Sequence, residues 1–317
     1  MNVVIGLLVV LGSCVAGFML SGGELLALFQ PYELLIIGGA ALGAMVMSNP
    51  LGVTLNVMKS FGTLLKPSPY SKGLYLDLLA LLYDIFNKMR REGLLGIEKD
   101  IDEPAASPIF SKHTGIARIH GATEFIIDYL RVMTLGGVAA HDLDALFDAE
   151  LETHHTESHL VSGAMSKVAD ALPGFGIVAA VMGIVITMGH IGGPPEELGH
   201  HVGAALVGTF LGILLSYGIV GPMSVYLEHV SREEAKFYEC IKVSMMASFS
   251  GAPPQLAVEF GRKILFHSVR PSWNEVEERV KQKCASIPRP SRSSSARKRS
   301  SRTVITAARG RSPSPIS

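Results

Sequence analysis

The sequence predicts an all-α integral membrane protein: four transmembrane helices in two hairpins, with a large helical domain on the cytoplasmic side. Three observations predict it. Charged side chains make up only 18% of the 317 residues, against about a quarter in soluble proteins. Those charges are segregated: residues 1–23, 34–58 and 171–195 carry no Asp, Glu, Lys or Arg, nor do 198–227, where only His200 and His201 interrupt. Each run reaches roughly the 20 residues a helix needs to cross about 30 Å of hydrocarbon. Finally, all 28 Lys and Arg fall in two stretches, 11 between Lys59 and Lys167 and 17 between Arg232 and Arg311. The positive-inside rule assigns both stretches to the cytoplasm. A soluble enzyme is excluded, and a net charge of zero gives no hint of a partner.

The elements follow in order. Residues 1–57 form the first hairpin. Its opening run lacks a basic leader and a small-residue cleavage site, so it is a retained span rather than a signal peptide. The chain turns at Ser21-Gly22-Gly23 and Gln30-Pro31, which makes 22–33 a short outer loop, and Asn49-Pro50 marks a bend near the inner end of the second span. Residues 58–170 form an inner helical domain. Within it, 73–91 is apolar enough to imitate a span, but Asp77 and Asp84 interrupt it and Lys88 opens a charged flank. Further helices are expected at 121–135 and at 141–160, the latter leading into the third span. Residues 171–227 form the second hairpin, with an outer loop near 190–200. In 228–287, helix continues over 232–246, breaks at 251–254, resumes at 255–267 and ends in a charged helix at 273–283. Residues 288–317 hold eight Lys or Arg and no acid, among Ser and Pro, a composition that cannot bury enough surface to fold. Both termini are cytoplasmic, since four spans return the chain to its starting side.

No catalytic constellation is present, and neither an enzymatic activity nor a cofactor is expected. The best metal candidate, His155 with His159 beside His154, is an i, i+4 pair in a solvated acidic run, and no metal site is expected there. Cys14, Cys240 and Cys284 give no disulfide framework. Inside the apolar cores of the spans there is no Asp, Glu, Lys or Arg. Pumps and transporters commonly place ionisable groups at that depth, so this chain alone is a poor pump. Small residues are abundant instead: Gly39-x-x-x-Gly43 in the second span and Gly208-x-x-x-Gly212 in the fourth, a spacing that lets helices approach closely, within one chain or between chains. The few polar residues are Ser13, Thr187, Thr209 and Ser216. Thr209 and Ser216 share one face, with Tyr217 beside them, and either bond their own backbone or line a hydrated path beside a partner. Pro173 and Pro222 near the inner span ends each free a backbone carbonyl and permit a bend.

Several runs then coincide with one family. LPGFGIVAAVMGIV from Leu172, VGTFLGILLSYGIVGP from Val207, VEFGRK from Val258, SVRPS from Ser268, and RREG and IEKDIDEP between Arg90 and Pro104 closely resemble the MotA family of bacterial flagellar stator subunits. The likeness covers about residues 1–283. It implies a homo-oligomeric ring, a pentamer, around a dimer of MotB, whose single span brings the ion-carrying Asp, in the bacterial inner membrane; H⁺ is the expected coupling ion, with Na⁺ the alternative because sodium-type stators share this scaffold. By the same likeness Thr209 sits at the ion path, to which Thr187 and Ser216 are added as polar residues of the span cores; Pro173 and Pro222 couple protonation to the inner domain, and Arg90 and Glu98 face the rotor protein FliG. The implied function is torque generation in the flagellar motor. Alternatives are a TolQ/ExbB-like energiser of an outer-membrane system, or a solute transporter or membrane scaffold. The basic tail departs from the family. It fits anionic lipid headgroups, at about 1 kcal/mol per basic residue near the surface, and no nucleic acid is expected.

Overall fold

A computed structural model describes residues 2–64, 67–117, 119 and 121–285; the tail at 288–317 lies outside them. Among the described residues there are helices and turns and no strand. The chain enters through α1 (Asn2–Leu20), the short α2 (Leu25–Leu28) and α3 (Pro31–Ser48). Asn49-Pro50 ends α3 as expected, because Pro50 cannot continue its hydrogen bonds, and α4 (Leu51–Leu64) follows. Next come α5 (Lys72–Glu92), α6 (Glu98–Asp102), α7 (Thr114–Ala117) and α8 (Ala122–Leu135). Ser71 caps α5 by accepting from the Leu74 N–H, and Gly93, at φ 77°, lets the chain leave it.

Two very long helices dominate the rest. Helix α9 (Ala140–Gly189) has 50 residues, about 75 Å at roughly 1.5 Å per residue. It absorbs the acidic 141–160 segment and the third span without a break. After the loop, α10 (Pro195–Ile213), a π-helical stretch (Leu214–Val220) and α11 (Gly221–Phe249) form a second continuous run of 55 residues. Helices α12 (Pro254–Ile264) and α13 (Trp273–Ala285) close the described chain.

Four helices are long and apolar enough to cross a membrane, within 3–20, 25–48, 140–189 and 195–249. The other ends of α9 and α11 enter a polar body with α5–α8, α12 and α13. Its core is large: Tyr75, Leu78, Leu79, Leu81, Leu82, Ile85 and Phe86 of α5, Phe125 and Tyr129 of α8, Phe147 of α9, and Phe237 and Tyr238 of α11 are all buried together. Helix α5 is thus a core helix of the body, as its interrupting Asp77 and Asp84 foretold. Asp77 takes Arg279 at 2.6 Å and Lys72 takes Glu275 at 2.8 Å, which ties α13 back to α5.

Two findings revise the span layout. The first two spans are joined but not chiefly packed on each other, since α3 lies against α9 and α10 while α1 rests on the π-helical stretch and α11; the last two, α9 and α10, do pack along each other. The second concerns Glu33. The stretch 22–33 is not all loop, since α3 begins at Pro31 and carries Glu33 in its first turn. Proline at a helix's first position followed by an acid is a helix start. Glu33 is buried against the two long helices, so an acid expected in a solvated loop instead lies inside the helix packing, just ahead of the charge-free run.

Candidate functional site

The seam between α9 and α10 is built on glycine. A Cβ placed on Gly212 would lie 2.8 Å from the Gly176 Cα and 2.8 Å from the Leu172 carbonyl oxygen. One placed on Gly176 would lie 3.0 Å from the Gly208 carbonyl oxygen. The Gly208-x-x-x-Gly212 spacing therefore serves a contact inside the chain. Around Gly39 and Gly43 there is no atom within 4 Å of an added Cβ, so that second pair faces away from the chain's own described helices.

The three hydroxyls predicted for the ion path have different surroundings. Thr187 is buried and donates to the Gly183 carbonyl, one turn back on α9, at 2.8 Å. Ser216 is buried and donates across the seam to the Ala169 carbonyl at 2.6 Å. Thr209 is half-buried and makes no hydrogen bond among the described residues. Of the three, Thr209 alone keeps a hydroxyl free for another group.

The Ser216 bond explains what the two prolines do locally. Pro173 lies inside α9 and has no N–H to give the carbonyl four residues back. That carbonyl belongs to Ala169, and it is the one Ser216 fills. Ser216 itself lies in the π-helical stretch, where the Gly221 N–H bonds the Ser216 carbonyl five residues back, immediately before Pro222. Two residues beyond Pro222, Ser224 donates to the Ser162 carbonyl of α9 at 3.0 Å. The carbonyl freed by Pro173 and the π-helical stretch before Pro222 are thus joined by one serine-to-carbonyl clasp, with a second clasp on the body side of Pro222. Sequence pattern placed the prolines but missed the clasps, which depend on residues 47 and 62 positions apart.

Glu33 enters a notch of small residues at the far end of this seam. Its Oε2 lies 2.8 Å from where a Gly208 Cβ would sit, and its Oε1 3.5 Å from where a Gly183 Cβ would sit. Ala179 and Ala205, both buried, complete the notch. The Oε2 atom is enclosed and has no hydrogen-bond partner. Gly183 accepts from no side chain but Thr187 through its carbonyl, and Gly208 precedes Thr209, so the acid lies among the residues singled out for the ion path.

At the opposite end, Arg90 and Glu98 flank the turn from α5 to α6. Both are exposed, and neither forms an ion pair among the described residues. Their neighbours two positions inward do. Lys88 meets Asp100 at 2.5 Å, and the buried Ser107 hydroxyl donates to the other Asp100 oxygen at 2.6 Å. The body's structure uses Lys88 and Asp100 and leaves Arg90 and Glu98 facing solvent. The family-like runs near the C-terminus are likewise structural: Arg262 binds Glu259 through two nitrogens at 2.6 Å and the Pro271 carbonyl at 2.9 Å, and Arg270 bonds the Leu265 carbonyl at 2.7 Å. His155 and His159 lie on the surface with ring centroids 4.3 Å apart. Among the described residues no group of three or more His, Cys, Asp or Glu is placed to hold a metal ion.

A helical membrane subunit with a glycine seam, paired prolines and a charged body edge has known counterparts. The family model "Motility protein A N-terminal" matches residues 4–93, and the model of the MotA/TolQ/ExbB proton channel family matches 121–240. The chain is 42% identical over 281 residues to Motility protein A of Salmonella typhimurium, covering 89% of this chain and 95% of the relative. Against Chemotaxis protein LafT of Vibrio parahaemolyticus it is 35% identical over 274 residues, 86% and 96% of the two chains. Its fold resembles the solved Campylobacter jejuni MotAB (TM-score 0.70, 19% identity, 86% of this chain and 98% of that one). It also resembles the flagellar MotAB stator complex from Bacillus subtilis (TM-score 0.67, 22% identity, 87% and 98%). The chain belongs to the motility protein A family.

Proposed function

We propose that this chain is a flagellar stator subunit, which assembles as a pentameric ring in the inner membrane around a MotB dimer and conducts H⁺ with it. In this reading MotB supplies an ion-carrying Asp, Thr209 faces that path, and the polar body, both termini and the basic tail are cytoplasmic. Arg90 and Glu98 meet charged residues of FliG, and the tail meets anionic lipid. No cofactor beyond the coupling ion and no enzymatic activity are part of the proposal. The observation that carries it is continuity. Two continuous helical runs, 140–189 and 195–249, lead from the bundle into the body, joined near Pro173 and Pro222 by the Ser216 and Ser224 clasps. A change at the seam therefore has a rigid route to the exposed charges of the body. The supporting charge pattern is equally simple: every Lys and Arg lies in the two stretches assigned to the cytoplasm.

The test is complementation of a motile strain that lacks its own stator subunit, with the chain co-expressed with its MotB. Thr209→Val keeps the shape of the side chain and removes its hydroxyl. It is expected to lower proton flux and swimming speed while membrane level and ring assembly stay normal. Swimming speed is expected to be independent of Na⁺ concentration. A strict Na⁺ requirement, or a Thr209→Val strain that swims like the wild type, overturns this assignment of the ion or of the residue.

A further inference from the structure

Glu33 is 8% exposed, one of its carboxyl oxygens is sealed without a partner, and its surroundings are glycine and alanine. Its depth follows from the helices that hold it. Gly183 lies six residues before the end of α9 at Gly189, about 9 Å along the axis. The notch thus lies towards the ends of the candidate spans away from the polar body, with Glu33 in the first turn of α3 and the charge-free run 34–58 following it. Other ionisable groups on the packed elements lie elsewhere. On α9, His190 is seven residues past Gly183 and Lys167 and Asp170 lie towards the body; on α10, His201, His200, Glu197 and Glu196 precede Gly208 by seven residues or more; on α4 there is Lys59. Glu24 and Tyr32 flank the turn into α3. None of these forms an ion pair or hydrogen bond with Glu33 among the described residues.

An isolated carboxylate in apolar surroundings is far more costly than a neutral carboxyl group, and an ionisable residue at membrane depth marks an ion pathway or a relay by default. We propose that the Glu33 carboxyl is a proton-binding site inside the membrane bundle, which exchanges its proton with the ion path at Thr209. The notch explains its small residues: a side chain at Gly208 would occupy the position of the carboxyl itself. This inference rests on the proton-conducting reading above and adds a second protonatable group, one supplied by this subunit.

The test uses the full-length chain with its MotB partner in lipid vesicles. Infrared difference spectra over an acid-to-alkaline titration should show a protonated carboxyl band that disappears in Glu33→Gln. Proton flux should fall in Glu33→Gln on the order of tenfold, below the roughly 10²–10⁴-fold of a group that transfers the reacting proton itself, because Glu33 adds to the partner's carboxylate rather than replacing it. Glu33→Asp should restore part of the flux, which a purely space-filling role would not require, since Gln fills the notch as well as Glu. Wild-type flux in Glu33→Gln, or the absence of the band from the wild-type complex, overturns the proposal. A wild-type complex that conducts no protons defeats the parent reading instead, and the infrared band still decides whether Glu33 holds a proton. If Glu33→Gln fails to assemble, the titrating band can be sought with Gly208→Ala, whose methyl group should displace the carboxyl and shift it.

Discussion

The membrane bundle and the polar body are held together in opposite ways. In the body, large side chains interlock: Phe237 is fully buried, with Tyr70, Tyr75 and Tyr238 rings at 5.7, 6.1 and 5.6 Å. In the bundle, the buried cluster at the seam is only Ile37, Ala41, Leu172 and Ala179, and the helices meet backbone to backbone at Gly176, Gly208 and Gly212. The solvent explains the difference. In water, removing apolar surface drives association and rewards bulk. In lipid there is no such gain, so helices associate by close van der Waals approach and a few hydrogen bonds. The body should therefore be sensitive to truncation and the bundle to addition.

The largest expected effect comes from truncating the body. Phe237→Ala should lower stability by about 3–5 kcal/mol, seen as a fall in the thermal midpoint of the detergent-solubilised complex; a small effect there would mean that the core is loosely packed. Adding one methyl group to the bundle comes next. Gly212→Ala places a Cβ against the Gly176 Cα and the Leu172 carbonyl, neither of which can swing aside, and overpacking of this kind costs about 1–3 kcal/mol. Gly39→Ala meets nothing in the chain. If its midpoint matches that of Gly212→Ala, the surface at Gly39 is in contact with another chain.

Smaller still is the clasp. Ser216→Ala should cost about 1 kcal/mol by leaving the Ala169 carbonyl unpaired. In a Pro173→Ala background that carbonyl regains a helical N–H donor, so the cost of Ser216→Ala should shrink; a double-mutant cycle measures the coupling. Strict additivity would show that the clasp has no connection with the proline. The smallest effect on stability is expected at the exposed edge. Arg90→Glu should change the midpoint by no more than about 0.5 kcal/mol yet impair swimming. Lys88→Glu, which strands the buried Asp100, should lower the midpoint markedly. Partial rescue of Arg90→Glu by reversing an acid on FliG would tie the loss to charge. Equal loss in Arg90→Ala and Arg90→Glu, without rescue, would point to packing.

Much of this was legible before any coordinates. The charge-free runs marked the spans, Asn49-Pro50 marked the end of α3, and Asp77 and Asp84 kept α5 out of the membrane. Arg90 and Glu98 were named through family resemblance, and the structure adds that both are exposed. Glu33 was misplaced because an acid beside a turn counts as loop when only the charge-free length is considered. Pro31 was the available signal that the helix had already begun. Ser216 was assigned to a hydrated path because its own helix face was the only neighbour a sequence displays. The hydroxyl instead found a carbonyl that a proline on another helix had left vacant.

The sequence by itself determined which segments prefer lipid and which prefer water, because that preference is a property of consecutive side chains and of the length needed to span hydrocarbon. It also determined where the backbone must be irregular, since proline lacks its donor wherever it stands. Only the tertiary structure decided which glycine pair is internal, which carbonyl receives Ser216, and that Glu33 lies enclosed in a notch of small residues. Those outcomes depend on groups brought together from positions 32 to 175 residues apart along the chain. Burial and hydrogen-bond satisfaction are set by neighbours in space, which the order of residues does not display.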